Sequence, residues 1–324
     1  MNEQSLYYFI ELAKDLHMTR TAKRLYISQQ TLSNHIMRLE KYYGVKLLNR
    51  HPKLNLTYAG EFVLRFAQKT LRENDNLLDI LADIKHDDRG LITFGASSIR
   101  LNSSLPFLLP IFTQQFPNIE FRIIEGTTDP LEHLMLEGQL DLAITNFRKE
   151  ENAIISNHIM YDQVYLCVTD KLLHKYFGNK TEDIIHKSLN HANIADFSPL
   201  PFCILDNQLG QDIQQCFDEA NIIPKIYLKN NHINLETSIG FTGIAAFFSN
   251  HTSLLIQKKS ITDPIHVFPL YHKSKPLVQD IRIIHRKDQY MTSYCRYFYE
   301  LLQKRATYLE SQPLFKMPID SEDA

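Results

Sequence analysis

TRTAKRLYISQQTLSNHIMRLEKYYGVKLLNRHPKLNLT, residues 19–57, is the stretch on which the reading of the chain turns. Leu32, Ile36, Leu39 and Tyr43 recur at spacings of 4, 3 and 4, so a helix here gathers them on one inward face. At about 100° per residue, Gln30, Asn34, Met37 and Lys41 point away from that face, with Thr31, Ser33 and Arg38 on its flanks. Ser28 precedes the first turn as a natural N-cap, its hydroxyl oxygen accepting a backbone N–H that the helix cannot satisfy. Amides and hydroxyls suit base edges and cations suit phosphates. Ser28, Gln29, Gln30, Thr31, Ser33, Asn34 and Arg38 are therefore candidate contacts to double-stranded DNA. Taken alone, the same face also describes a plain solvated helix.

Upstream, residues 19–26 predict a shorter helix with Arg20, Lys23 and Arg24 as candidate phosphate contacts. Leu6, Phe9, Ala13 and Leu16, with Ile10 and Leu12 beside them, predict a supporting helix over 3–16. Downstream, KLLNR and KLNLT flank His51-Pro52 and read as two short strands and a turn. They present Arg50 and Lys53 to the sugar-phosphate backbone or a minor groove. The segment 1–58 is thus a winged helix-turn-helix head. Residues 1–60 carry nine Lys and Arg against four Asp and Glu, a net +5, which leaves −7 for the rest of a chain whose total is −2. A basic head on an acidic body suits a protein that touches DNA with one end.

Residues 59–88 predict one long helix. Val63, Ala67, Thr70, Asn74, Leu77, Leu81 and Ile84 alternate spacings of 4 and 3, a heptad seam, and Phe62, Phe66, Leu71 and Leu78 widen the apolar arc. Such a helix needs a partner, and Asn74 either fixes the register of that seam or, as the commoner case, faces solvent in a loose one. The charged DDRG, 87–90, ends the helix and makes 59–90 a linker with a hinge. Beyond it, strands and amphipathic helices alternate: LITFGA, a helix from about Leu105 to Gln115, EFRIIEG, a helix over 130–137, LDLAIT and HIMYDQVYLCVT. A second unit follows with PFCIL, a helix over 210–220, KIYLK, a helix over 232–239, GIAAFF and IHVFPL. This predicts an open, largely parallel α/β domain over 91–305. Lobe I takes 91–161 and 278–305, and lobe II takes 162–277. Residues 181–189 predict an extra helix, and 306–324 a mobile tail.

The N-terminal pattern resembles that of the LysR-type transcriptional regulators almost position by position. The Ser-Gln pair, the serine four residues after that Gln, the I-x-x-LE ending, the later Gly, the Leu-Leu-x-Arg segment and the closing Leu-Thr-x-Ala-Gly stand in order. Three positions depart: Gln30 stands where Pro is common, Thr21-Ala22 where Ala-Ala is usual, and Leu48 where Phe is frequent. Pro is dispensable at a helix start, so the departures bear on target sequence and not on DNA binding. LPIFTQQFPNIEF, EGQLDLAI and Gly243-Ile244-Ala245 extend the resemblance to the family's periplasmic-binding-protein-like effector domain. The resemblance implies a homodimer or homotetramer paired through the linker helix and a DNA target that is an interrupted inverted repeat. It further implies a small-molecule effector between the lobes, with RNA polymerase as a candidate partner.

In open α/β sheets ligands bind outside the carboxyl ends of the strands. Those ends offer Ser97 and Ser98, Thr127 and Thr128, and Thr145 and Asn146 in lobe I, and Asp206, Asn207, Ser249 and Asn250 in lobe II. Ser103-Ser104-Leu105-Pro106 reads as a helix start, which favours an anionic effector, although Ser and Thr also favour caps and loops without any ligand. Four separated cysteines and scattered histidines indicate no metal, disulfide or cofactor. The absence of G-x-S-x-G, H-E-x-x-H and Gly-rich phosphate motifs indicates no enzyme. The opening MNEQSLYYFIELAKDL is neither leader nor membrane span, which points to the cytoplasm. The rival reading is a cytoplasmic solute-binding or enzymatic α/β protein with a basic interaction module.

Overall fold

A computed structural model describes residues 2–49, 53–84, 90–146, 151–257, 264–272 and 275–314. In the head, α1 (Glu3–Asp15), α2 (Met18–Arg24) and α3 (Gln29–Tyr43) enclose Leu6, Phe9, Leu12, Ala22, Leu32, Ile36 and Leu39. β1 (Leu48–Asn49) and β2 (Asn55–Leu56) pair antiparallel as the wing. Buried Glu40, near the end of α3, accepts from Leu47 N and Lys46 Nζ, both at 3.0 Å, and so fixes the wing to the helix. Arg50 and the His51-Pro52 turn lie outside the described residues.

α4 (Tyr58–Ile84) divides its apolar arc between two surfaces. Ala67 and Val63 join the head core, and Asn74 Nδ2 donates to Glu3 Oε1 at 3.0 Å. The expectation of one uninterrupted intersubunit seam is therefore corrected: α1, tethered close by, occupies its first half. Farther along, Leu77 stays 51% exposed and Leu78 and Leu81 are exposed as well, as are Phe62 and Phe66. The side chain of Ile84 and residues 85–89, which hold most of the expected hinge, lie outside the description.

The C-terminal domain begins with β3 (Gly90–Ala96), α5 (Ser98–Gln115), β4 (Ile119–Glu125), α6 (Thr128–Leu136), β5 (Leu142–Asn146) and β6 (Ile154–Thr169). It continues through α7 (Asp170–Phe177), α8 (Thr181–Ser188), β7 (Pro201–Leu205), α9 (Gln208–Glu219), β8 (Lys225–Asn230) and α10 (Ile233–Gly240). β9 (Phe247–Asn250), α11 (His251–Gln257), β10 (Ile265–Pro269), β11 (Tyr271–His272), β12 (Lys275–Pro276), β13 (Val278–Arg286) and α12 (Ser293–Ser311) complete it. The main sheet runs β10-β6-β13-β5-β3-β4, with β9 also on β6. Residues 154–163 of β6 pair with β13 in lobe I, and 164–169 pair with β9 or β10 in lobe II. β3 lies parallel to β4 and β5, and β7 to β8, whereas β13 runs antiparallel to β5 and to the lobe I half of β6. The sheet is therefore mixed rather than largely parallel.

Two boundaries differ from expectation. α5 starts at Ser98, so Ser103 and Ser104 are not a helix start. Both are buried inside the helix, with Ser103 Oγ donating to Arg100 O at 3.1 Å. Pro106 mimics a first-turn signal, but Leu101, Leu105, Leu108 and Phe112 carry the helix past it by packing on the lobe I core. α12 extends to Ser311 with Ala306 and Leu309 buried, and Leu314 packs on lobe II, so the expected mobile tail does not begin at 306. Residues 315–324 lie outside the description. The extra helix over 181–189 is α8, seated by Ile185.

Where β6 crosses, Asp162 is fully buried. Arg100 Nη2 stands 2.5 Å from Asp162 Oδ2, Arg100 Nη1 donates to Thr252 Oγ1 at 2.8 Å, and Thr252 N donates to Asp162 Oδ1 at 3.0 Å. Removing one partner strands a buried charge. Asp162→Ala should lower the unfolding free energy by about 3–5 kcal/mol in denaturant titration. A variant as stable as the parent would show that the pair does not hold the crossing.

Candidate DNA-reading face and effector cleft

Ser28 caps α3 by accepting from Thr31 N at 3.0 Å, and its hydroxyl lies 2.8 Å from Thr31 Oγ1. Both side chains are thus engaged at the helix start. Gln30, Asn34, Met37, Arg38 and Lys41 are exposed while Leu32, Ile36 and Leu39 are buried. Ser33 is half-buried on the flank. Exposed Gln29 accepts from Thr19 Oγ1 at 2.9 Å, a bond that engages its carbonyl oxygen and not its NH₂ group.

The cations divide into two sets. Arg24 pairs with Glu11 and, at 2.9 Å, with Asp15, so it braces α2 against α1 instead of serving as the expected phosphate contact. Its partners lie in another helix, which spacing within residues 19–26 could not reveal. Arg20 is exposed and donates to Asp15 O at 3.3 Å; Lys23, Arg38, Lys41 and Lys53 are exposed. Glu11, Asp15 and Glu40 are bound by cations, which leaves the outer face of α3 and the wing electropositive.

The strand directions define where the candidate cleft lies. Asn146 at the end of β5 lies opposite Ile281, itself opposite Met160. Asn250 at the end of β9 lies opposite Val164. The carboxyl ends of β3, β4, β5, β7, β8 and β9 consequently all face the crossing in β6. Ser97 and Thr127 occupy the N-cap positions of α5 and α6 without a side-chain capping bond, and Ser98 is half-buried beside Ser97. Thr128 Oγ1 accepts from Asn146 N at 3.2 Å and so ties α6 to β5, a structural use not anticipated from sequence. Thr145 is buried beneath Asn146. Across the cleft, Asn207 and Asn250 cap α9 and α11, and Asp206 pairs with Lys229 at 3.0 Å. Among the described residues, no group of three or more His, Cys, Asp or Glu could hold a metal ion.

The bacterial regulatory helix-turn-helix model of the lysR family matches residues 4–61, and the LysR substrate binding domain model matches residues 85–307. The uncharacterized HTH-type transcriptional regulator YkuM of Bacillus subtilis is 28% identical over 171 residues, which are 52% of this chain and 58% of that protein, under two thirds of its length. A probable RuBisCO transcriptional regulator of Phaeodactylum tricornutum is 26% identical over 317 residues, 95% of this chain and 98% of that one. The crystal structure of full-length CbnR complexed with its target DNA shares the fold with a TM-score of 0.57 at 22% identity, covering 94% of this chain and 100% of that chain.

Sequence reading also missed Glu236, in the first turn of α10 and fully buried. Burial pushes its carboxyl up to about 8 from 4.5, and the Phe248 N–H offsets part of the shift. The folded state therefore holds this proton more tightly than the unfolded chain does. The contribution to stability is full below about pH 4.5 and is lost as pH rises toward about 8. Glu236→Gln should remain folded and exceed the parent in stability by up to about 3 kcal/mol at pH 7, with the gain vanishing near pH 4. Paired denaturant titrations across pH check this. A gain independent of pH would show that the carboxyl does not titrate as described.

Proposed function

Because the chain belongs to the LysR family of DNA-binding transcription regulators, we propose that its head reads an interrupted inverted repeat in double-stranded DNA while a small molecule between the lobes sets how paired heads are presented. The observation that carries this reading is the outward row Gln30, Asn34, Met37 and Lys41, set opposite a fully packed row on the same helix. Gln29, Gln30, Ser33 and Asn34 read base edges; Ser28 and Thr31 shape the helix start at the groove. Arg20, Arg38, Lys53 and, from sequence, Arg50 neutralise phosphates.

The exposed Leu77, Leu78 and Leu81, with Phe62 and Phe66, support a homodimer paired along α4, which can associate further into a tetramer. The effector is a small polar molecule, anionic by preference, that meets Ser97, Ser98 and Thr127 near Thr145 and Asn146, because the N-termini of α5 and α6 carry partial positive charge. It acts by binding one arrangement of the assembly better than another, and the output passes to RNA polymerase. The protein works in the cytoplasm as a regulator and not as an enzyme. No described helix is long and apolar enough to cross a membrane.

Mobility-shift titration on the DNA upstream of its own gene tests the reader. Gln30→Ala or Asn34→Ala should cost about 1–3 kcal/mol per lost bidentate contact and relax sequence preference. Lys53→Ala should instead weaken operator and random duplex alike and reduce the salt slope by about one. Equal losses on both DNAs for the α3 variants would refute base reading. For the linker, Leu77→Asp should dissociate the dimer in sedimentation, since a carboxylate in an apolar seam is uncompensated. Retention of the parental assembly by a folded variant would move the interface elsewhere.

A further inference from the structure

α2 stops in a way that singles out Tyr26. Ile27 N donates back to Ala22 O at 3.0 Å, Tyr26 N donates to Lys23 O at 3.1 Å, and Tyr26 takes the left-handed φ of +54°. This helix stop is filled by Gly in preference, because a Cβ crowds the following carbonyl. The apolar contact that closes the stop comes from Ile27 and Ala22 in the head core. The tyrosine ring, 96% exposed, adds no burial to offset the strain. A strained residue that contributes nothing to packing points to a use at the surface.

Its surroundings indicate which surface. Tyr26 stands two residues before Ser28, the cap of α3, and next to the start of the row formed by Gln29 and Gln30. Exposed Lys23 lies three residues before it. In the chain the exposed ring thus adjoins the start of the proposed DNA-reading face. We propose that Tyr26 donates its phenolic hydroxyl to a backbone phosphate oxygen at the edge of the groove that α3 enters, a positioning contact indifferent to base sequence. The inference rests on the reading of α3 as the DNA-facing helix. A neutral donor of this kind fixes orientation but releases no counterion.

The probe is a short duplex of arbitrary sequence, titrated against full-length protein at several salt concentrations by fluorescence anisotropy. Tyr26→Phe and Tyr26→Gly should each weaken binding about 3–10-fold, with the slope of log affinity against log salt unchanged. Tyr26→Gly should also raise the melting temperature of the head, which shows that the lost affinity is not lost folding. Tyr26→Phe should melt like the parent. Parental affinity in both variants would overturn the proposal and leave Tyr26 to a protein partner. A slope reduced as for a missing cation would overturn it too. Failure of the parent to bind any duplex would instead remove the DNA-reading assignment on which the proposal rests.

Discussion

One strand, β6, belongs to both lobes, and the buried Arg100–Asp162 pair sits where it passes from one to the other. The lobes cannot separate without breaking a continuous ladder, so their relative freedom is a pivot about that point. Within lobe II and next to the crossing, Leu270 N donates to Val164 O and Leu277 N to Leu270 O, which holds the chain entering β13 beside β6. A buried ion pair adds little net stability over a well-packed apolar substitute, but it tolerates few alternative geometries. Here it fixes the first turn of α5 against β6 and the start of α11, and the same turn opens on the cleft through Ser97 and Ser98. α5 also touches α12, whose Arg305 Nε donates to Ser103 O at 2.8 Å. α5 is therefore anchored at the crossing and braced along its length.

α4 is held differently at its two ends. Near the head it is seated by Val63 and Ala67 in an apolar core. Near the C-terminal domain it is held by polar contacts: Asn76 Nδ2 donates to Asp288 O at 3.0 Å, and Asp83 accepts from Ser293 N, Ser293 Oγ and the Tyr290 hydroxyl. Polar partners can be exchanged for water at a net cost of about 1 kcal/mol each, whereas opening an apolar core exposes area that nothing else covers. The head is thus joined to α4 more firmly than α4 is joined to the C-terminal domain.

The parts of this architecture legible in the sequence are those fixed by neighbours along the chain. The row Leu32, Ile36, Leu39 and the cap at Ser28 depend on helical periodicity alone, and both stand as read. Arg24 did not, because Glu11 and Asp15 reach it from another helix, and no local spacing encodes that approach. The linker seam misled for the same reason: Val63 and Ala67 satisfy a heptad pattern equally well whether the facing helix is a second copy or α1. At α5, two local signals conflicted, a Ser-Ser-x-Pro helix start and an apolar row running through it, and burial in lobe I decided for the row. The strand-end rule singled out Ser97 and Thr127, which stand at the N-caps of α5 and α6, but could not foresee that the Thr128 hydroxyl is used within the fold.

The preference proposed for an anionic ligand rests on how lobe I distributes its own charges. Arg100 is the cation nearest in sequence to the Ser97 end of β3, yet its guanidinium is occupied by Asp162 and Thr252 and is buried with them. On this side the cleft therefore offers partial charges, from the first N–H groups of α5 and α6, together with the hydroxyls of Ser97 and Thr127. Such a set holds a small anionic or strongly accepting group by directed hydrogen bonds, not by pairing with a full charge. A ligand bound as proposed would act on the helix starts that hold it, and α5 begins at the crossing. In the proposed reading, recognition and the pivot between the lobes share the first turn of one helix.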